Sequence, residues 1–274
     1  MSVRTIKTHT FAVWSHPPAV QASMTCSNEE DTYLDRDDEL DETLPVLLPF
    51  AEAEARFLSL TTIDYSAARD ASNEERKTIQ GGMRMQALVY GEVTFLTMRK
   101  ILDRVFSSCF KFPSLSLRKR IENLEFVDLG SGAGRPTLSS ACHFPFRRCV
   151  GVELLDSLHQ LALKSKRQWD EQDVPPRTEV CFFRGDMFDT SVYDWRKTGD
   201  IILVNSTCFS KNMLADLAKI AQDVSDTCVI ITFTLLIESP YFELITTDRF
   251  EMSWGAADVY YHKRRVETNQ QLDN

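Results

Sequence analysis

Short apolar runs in this chain end in polar side chains that could hold and act on a small ligand. Asp128 and Leu129 lead into Gly130-Ser131-Gly132-Ala133-Gly134, Glu153 closes the next run, Gly185-Asp186-Met187-Phe188 follows a third, and Asn205 ends a fourth. Glycines let a turn take positive φ and let the backbone approach a ligand closely. That spacing alone fits a dinucleotide as well. An acid just before the turn, however, would repel a pyrophosphate in a site of low dielectric, whereas it suits a ligand carrying an ammonium and a sulfonium. Glu153 could accept both ribose hydroxyls. Asp186 could accept from an adenine amino group while Met187 and Phe188 cover the ring faces. Taken singly, Asp186 could equally be a capping acid and Phe188 a core residue. Taken in order, these positions predict S-adenosylmethionine, contacted by Asp128, Gly130, Ser131, Gly132, Gly134, Glu153, Asp186, Met187 and Phe188.

Such side chains need strands to present them. From Glu125 onward, short apolar runs (EFVDL, RCVGVEL, EVCFFRG, DIILVNS, TCVIITFTLL) alternate with amphipathic segments at 137–143, 156–171 and 211–224. This alternation predicts an α/β fold with helices over a mostly parallel sheet, its ligand at the carboxyl ends of the strands. FELITTDRFEMS and ADVYYHKR, separated by Trp254-Gly255, read as a closing antiparallel hairpin. Upstream, helical spacing covers 45–60, 64–80 and 93–109; Gly81-Gly82 stops the second, and Phe95, Met98, Leu102, Val105 and Phe106 share one face of the third. The expected plan is an acidic, disordered 1–44, a helical region over 45–110, a cofactor domain over 111–267 and a tail from 268 to 274.

A chain of 274 residues with 43% hydrophobic content can bury a sizeable core. Its net charge of -9 argues against a protein that simply coats DNA. The charge is segregated: acids dominate 29–56, while Arg99, Lys100, Arg104, Lys111, Arg118, Lys119 and Arg120 form a basic stretch. The two runs are either solvated faces of opposite sign, or an acidic surface for a basic protein and a basic face for nucleic acid. Seven cysteines with no CxxC pair indicate reduced thiols, as in a cytosolic or nuclear protein. No motif predicts a metal site. No apolar run approaches the roughly 20 residues of a membrane span, so no membrane partner is expected. Residues 1–28 lack acids and faintly match a transit peptide, but Pro17-Pro18 and low apolar content favour a disordered arm.

Val89-Tyr90-Gly91-Glu92-Val93-Thr94-Phe95 stands before the turn, and in local terms is a loop meeting a helix start. With FVDLGSGAG at 126–134, Val204-Asn205-Ser206-Thr207-Cys208-Phe209, and Ser253-Trp254 followed by Tyr260-Tyr261, it resembles the Dot-one family (disruptor of telomeric silencing), non-SET methyltransferases of a lysine in the globular part of histone H-three. The resemblance covers roughly residues 85–265, and in length the chain is similar to the short kinetoplastid-type members. Arg135 replaces a usual Gln, Ser206 the second Asn, Met187 an adenine-stacking Phe, and Lys263 a His after Tyr-Tyr.

The resemblance implies a seven-stranded class I (Rossmann-like) S-adenosylmethionine-dependent methyltransferase, with Tyr90, Glu92 and Thr94 in the cofactor loop. It further implies a nuclear location and a nucleosome partner, with DNA contact through the basic stretch. Asn205 would touch the cofactor and orient the amine. Phe209, Trp254 and Tyr261 would wall a lysine channel, with Asn205 and Tyr261 as catalytic residues; on a hairpin, Trp254 and Tyr261 read equally as core. Two other readings share the same fold: a methyltransferase of arginine, a small molecule or a non-histone protein, and a non-catalytic chromatin-binding scaffold. Residue types do not fix the oligomeric state.

Overall fold

A computed structural model describes residue 44 and residues 46–60, 65–78, 91–110, 117–172 and 178–266. The acidic and disordered arm expected at 1–44, Tyr90 and Lys111 lie outside them, apart from Leu44.

Seven strands form one sheet in the order β3-β2-β1-β4-β5-β7-β6: β1 Glu125–Leu129, β2 Arg148–Glu153, β3 Glu179–Arg184, β4 Ile201–Val204, β5 Val229–Phe233, β6 Phe242–Met252 and β7 Gly255–Arg264. β1 to β5 run parallel; β7 is antiparallel to both β5 and β6. This is the class I, Rossmann-like sheet with its closing hairpin. β1, β4 and β5 are buried at every position, as strands covered on both faces must be, so their sequences run apolar without alternation. β6 lies at the edge and alternates; a bulge between Leu244 and Thr246 breaks its register.

Eight helices are present among the described residues: α1 Phe50–Leu60, α2 Tyr65–Thr78, α3 Phe95–Arg104, α4 Leu117–Ile121, α5 Arg135–His143, α6 Asp156–Glu171, α7 Trp195–Thr198 and α8 Lys211–Ile220. A wide π-turn, Val105–Cys109, extends α3. Successive residues of β1 feed opposite cores. Phe126 packs with the residues of α1, α3 and α5, while Val127 and Leu129 pack with Trp195 of α7 and Leu214 of α8. The helical N-terminal region is therefore part of the same core as the sheet: Phe57 of α1 stacks on Phe95 of α3 at 4.8 Å, and Phe95 lies 4.0 Å from the His143 ring of α5. The expected boundary near 110 separates no independent core.

No helix among the described residues is long and apolar enough to cross a membrane.

Candidate functional site

The strand order reverses between β1 and β4, and a cavity opens beside their carboxyl ends, where open α/β sheets bind ligands. Its floor is the glycine turn. Gly130 and Gly132 have φ of 82° and 55°, and the Gly130 and Ser131 amides donate to the Val152 carbonyl at 2.8 and 3.0 Å. Both glycines line the cavity, as does Ser131, whose buried hydroxyl makes no hydrogen bond with the described residues. Gly134 does something else. At φ 82° it begins α5, and a Cβ there would lie 2.5 Å from the Phe182 ring; one on Gly151 would lie 2.6 Å from it. The two glycines make room for Phe182, so Gly134 packs the turn against β3 and does not line the cavity as expected.

Three carboxylates converge on the space. Asp128 is fully buried and accepts from the Thr137 hydroxyl at 2.9 Å. Burial pushes its carboxyl up to about 7; the Thr137 hydrogen bond pulls back and the nearby Glu153 carboxylate adds to the rise. Glu153 accepts the Gly132 amide at 2.8 Å on one oxygen and the Leu155 amide at 2.7 Å on the other. Burial raises its pKa, opposed by those same amides. Each oxygen keeps a lone pair for a hydroxyl donor. Asp186 accepts the Phe188 amide at 2.9 Å, and Trp195 of α7 fixes the same turn by donating to the Met187 carbonyl at 2.9 Å. The Met187 side chain leans over the glycines, its Cε 3.3 Å from where a Cβ on Gly130 would stand.

The opposite wall is a strap, residues 91–93, ahead of α3. Asn205 donates its side-chain amide to the Gly91 carbonyl at 3.2 Å and accepts from the Thr207 hydroxyl at 3.1 Å. Ser253 takes the Glu92 amide at 2.9 Å and returns a bond from its own amide to the Glu92 carbonyl at 3.1 Å. Trp254 lies on Gly91 so closely that a Cβ there would be 2.6 Å from the indole. Arg135, packed over the Phe57 ring, pairs with the Glu92 carboxylate at 2.8 Å. Thr94 departs from expectation. It is exposed and caps α3 by accepting the Thr97 amide at 3.1 Å, so its hydroxyl serves the helix and does not face the cavity.

Phe209 lines the cavity and Trp254 backs the strap, edge-on to Phe233 at 6.4 Å. Tyr261 does neither. It is fully buried on the core face of β7, and its hydroxyl donates to Asp248 at 3.1 Å; burial and that carboxylate hold its pKa well above the ordinary value. The expected catalytic and channel roles of Tyr261 are corrected to a core role. His262 is also structural: its Nδ1 donates to the Ile230 carbonyl at 3.2 Å, and its Nε2 accepts the Ile237 amide at 3.1 Å. Lys263 donates to the Cys109 carbonyl at 2.7 Å, tying β7 to the π-turn.

The basic stretch is not one exposed face. Arg99 is buried against Asp103 at 2.6 Å and lies over the Phe144 ring, and Arg104 makes two 2.8 Å hydrogen bonds to Asp248. Arg118, Lys119 and Arg120 are exposed on α4, before β1 and so at the end of the sheet away from the cavity. Val93, Pro136, Leu155, Leu158, Leu203 and Met213 line the cavity without having been expected there. Pro136 reads as a helix-start residue, and the others read as core in apolar patterns. Only Leu155 carries a signal, since it follows the acid-ended β2 as Phe188 follows Asp186.

Asp128, Glu153, Asp186 and Glu92 make the cavity acidic, and Arg135 is spent on Glu92. Such a set of acceptors fits a ligand with an ammonium, a sulfonium, ribose hydroxyls and an adenine amino group, and disfavours a pyrophosphate. Glycines whose Cβ would crowd Met187 or the Trp254 ring leave the cradle open.

A family model described as Histone methylation protein DOT1 matches residues 77–263. The chain is 29% identical over 152 residues to the "Histone-lysine N-methyltransferase, H3 lysine-79 specific" of Emericella nidulans, covering 53% of this chain and 27% of that protein. It is 25% identical over 185 residues to the protein of the same name from Chaetomium globosum, covering 65% and 32%. The chain thus spans about a third or less of these relatives. Among solved structures it is similar to TrmN from Thermus thermophilus (TM-score 0.47, 15% identity, 66% of this chain and 52% of that one). It is also similar to the rRNA methyltransferase aviRa from Streptomyces viridochromogenes (TM-score 0.45, 12% identity, 63% and 85%).

Proposed function

The chain belongs to the Histone methylation protein DOT1 family, and from that premise we propose that it transfers methyl from S-adenosylmethionine to a lysine in the globular core of nucleosomal histone H3, the lysine-79 that its relatives' names specify. The observation that carries the reading is Asn205: it directly follows β4 at the cavity and is bonded to the strap on its far wall. One side chain thereby joins the cofactor floor to the wall past which an acceptor must come.

S-adenosylmethionine, when bound, supplies a methyl group on a sulfonium. Asp128 would face its ammonium, Glu153 the ribose, and Asp186 with Met187 and Phe188 the adenine. A lysine amine attacks only when neutral, aligned and about 3 to 3.5 Å from the methyl carbon. Phe209, Leu203 and Met213 exclude water from the acceptor side and so disfavour the ammonium. The chemistry the cofactor would supply is a direct displacement: the neutral amine's lone pair would form the C–N bond, the C–S electron pair would return to sulfur, and the methylated ammonium would give its extra proton to solvent. Asn205 would orient the amine through its side-chain oxygen, which already accepts from Thr207 and has a second lone pair. With Tyr261 in the core, no strong base lines the acceptor side among the described residues, and none is needed where desolvation favours the neutral amine.

A nuclear location and a nucleosome partner follow from this substrate, and among the described residues of the basic stretch Arg118, paired with Glu122 at 3.2 Å, Lys119 and Arg120 are exposed where a phosphate backbone would meet them. The experiment is methyl transfer from labelled S-adenosylmethionine to recombinant nucleosomes and to free core histones, with the product located by mass spectrometry. Label on a lysine of the histone H3 core supports the reading; cofactor binding with no histone labelled overturns the acceptor.

A further inference from the structure

The first turn of α6 has no cap of its own. Leu155 occupies the N-cap position; its hydrocarbon side chain has no acceptor to offer and lines the cavity. The amides left open are satisfied from elsewhere in the chain. Glu75 of α2 accepts the Asp156 amide at 2.8 Å on one oxygen and the Ser157 amide at 2.7 Å on the other. Burial works against the carboxylate, but the hydrogen bonds from Ser157 and Asp156, with Arg184 nearby, outweigh it and hold the Glu75 carboxyl below its ordinary range. A carboxylate at that end of a helix also meets the positive pole of the macrodipole.

The clasp sits against the cavity. Ala68, two turns earlier on the same helix, is buried with Ala133 of the glycine turn and with Leu155 and Leu158, both of which line the space. Beyond Glu75, Arg76 is close enough to the Cys208 thiol to oppose the rise that burial gives its pKa, so α2 also comes near the loop after β4. The family match begins at residue 77, which leaves Glu75 and Ala68 ahead of it.

We propose that Glu75 is a positioning residue for the cofactor cavity: by tying α2 to the two amides at the start of α6, it holds the Glu153–Leu155 turn in the shape that receives ribose and adenine. This rests on the reading that the cavity takes S-adenosylmethionine. Glu75 does not line the cavity. It acts through Leu155, whose amide bonds Glu153 and whose side chain packs under Ala68.

The test compares Glu75→Ala, Glu75→Gln and Glu74→Ala, the last altering a neighbour paired on the exposed face with Lys77. S-adenosylmethionine and S-adenosylhomocysteine binding is read by calorimetry, hydrogen exchange is read over 153–158 without ligand, and turnover is read at saturating cofactor. Glu75→Ala should weaken both ligands about tenfold, the loss expected on uncapping a helix end. Glu75→Gln, which keeps one acceptor, should lose less, and Glu74→Ala nothing. Exchange over 153–158 should quicken in Glu75→Ala while kcat stays within about twofold. Unchanged affinity, or unchanged exchange, overturns the inference. If Glu75→Ala does not fold, the isosteric Glu75→Gln decides by the same two readouts. Failure of the unaltered chain to bind S-adenosylmethionine would instead overturn the cofactor reading, and the inference with it.

Discussion

Asn205 donates a hydrogen bond to the Gly91 carbonyl, joining residues 114 apart in sequence across the mouth of the cavity. The link gives Asn205 two duties, aligning an acceptor and fastening the strap, and these separate in an experiment. Asn205→Ala removes one ordinary hydrogen bond from the strap, about 1 kcal/mol, so cofactor affinity should fall only several-fold. Turnover should fall by about a hundredfold, the cost of misaligning an acceptor. Calorimetry beside single-turnover methyl transfer checks this, and equal losses in both would reduce Asn205 to a structural tie.

Gly130→Arg should abolish cofactor binding while leaving a folded protein. The residue has φ 82°, which costs a side chain about 1 to 3 kcal/mol, and its Cβ would point toward Met187 Cε at 3.3 Å. A calorimetric titration showing undiminished heat would mean that the ligand does not lie over this turn.

Tyr261→Phe should keep turnover within about twofold, because the ring stays in the core and only the hydrogen bond to Asp248 is lost. Stability in a denaturant titration should drop by about 1 kcal/mol. A large fall in kcat with stability unchanged would restore Tyr261 to the site.

Asp128 makes binding and stability depend on pH with predictable signs. Its carboxyl is raised from 3.8 to about 7 in the folded chain. Between those values the folded state holds a proton that the unfolded state has released, so this group's contribution to stability falls as pH rises through the window. A cationic ligand selects the ionised form. Its affinity should therefore decline below about pH 7, and binding near neutrality should release a proton, measurable by calorimetry in buffers of different ionisation enthalpy. Glu153 shifts in the same direction, so Asp128→Asn isolates the effect: it should flatten the stability profile and remove most of the proton release. Proton uptake on binding would contradict the assignment of Asp128 to a cation.

Sequence by itself determined the sheet and the floor of the cavity. Asp128 is the next-to-last residue of β1, Glu153 the last of β2, and Asp186 follows the end of β3 by two residues, and ligands of open α/β sheets bind in the crevice at those carboxyl ends. The glycines are legible for a like reason: positive φ is a property of the residue and its neighbours. Partners distant in sequence were decided only by tertiary structure. Tyr260-Tyr261 reads the same on either face of a hairpin, and its register against β5, with Tyr261 opposite Ile231, put Tyr261 into the core. Arg104 reads as a free cation until Asp248, 144 residues later, accepts from its Nε and one of its Nη atoms. Glu75 reads as one more acid on an exposed helix until folding brings the uncapped start of α6 against it. Burial makes unpaired charges and amides costly, and the chain meets that cost with whichever residue packing brings near, which spacing along the sequence does not encode.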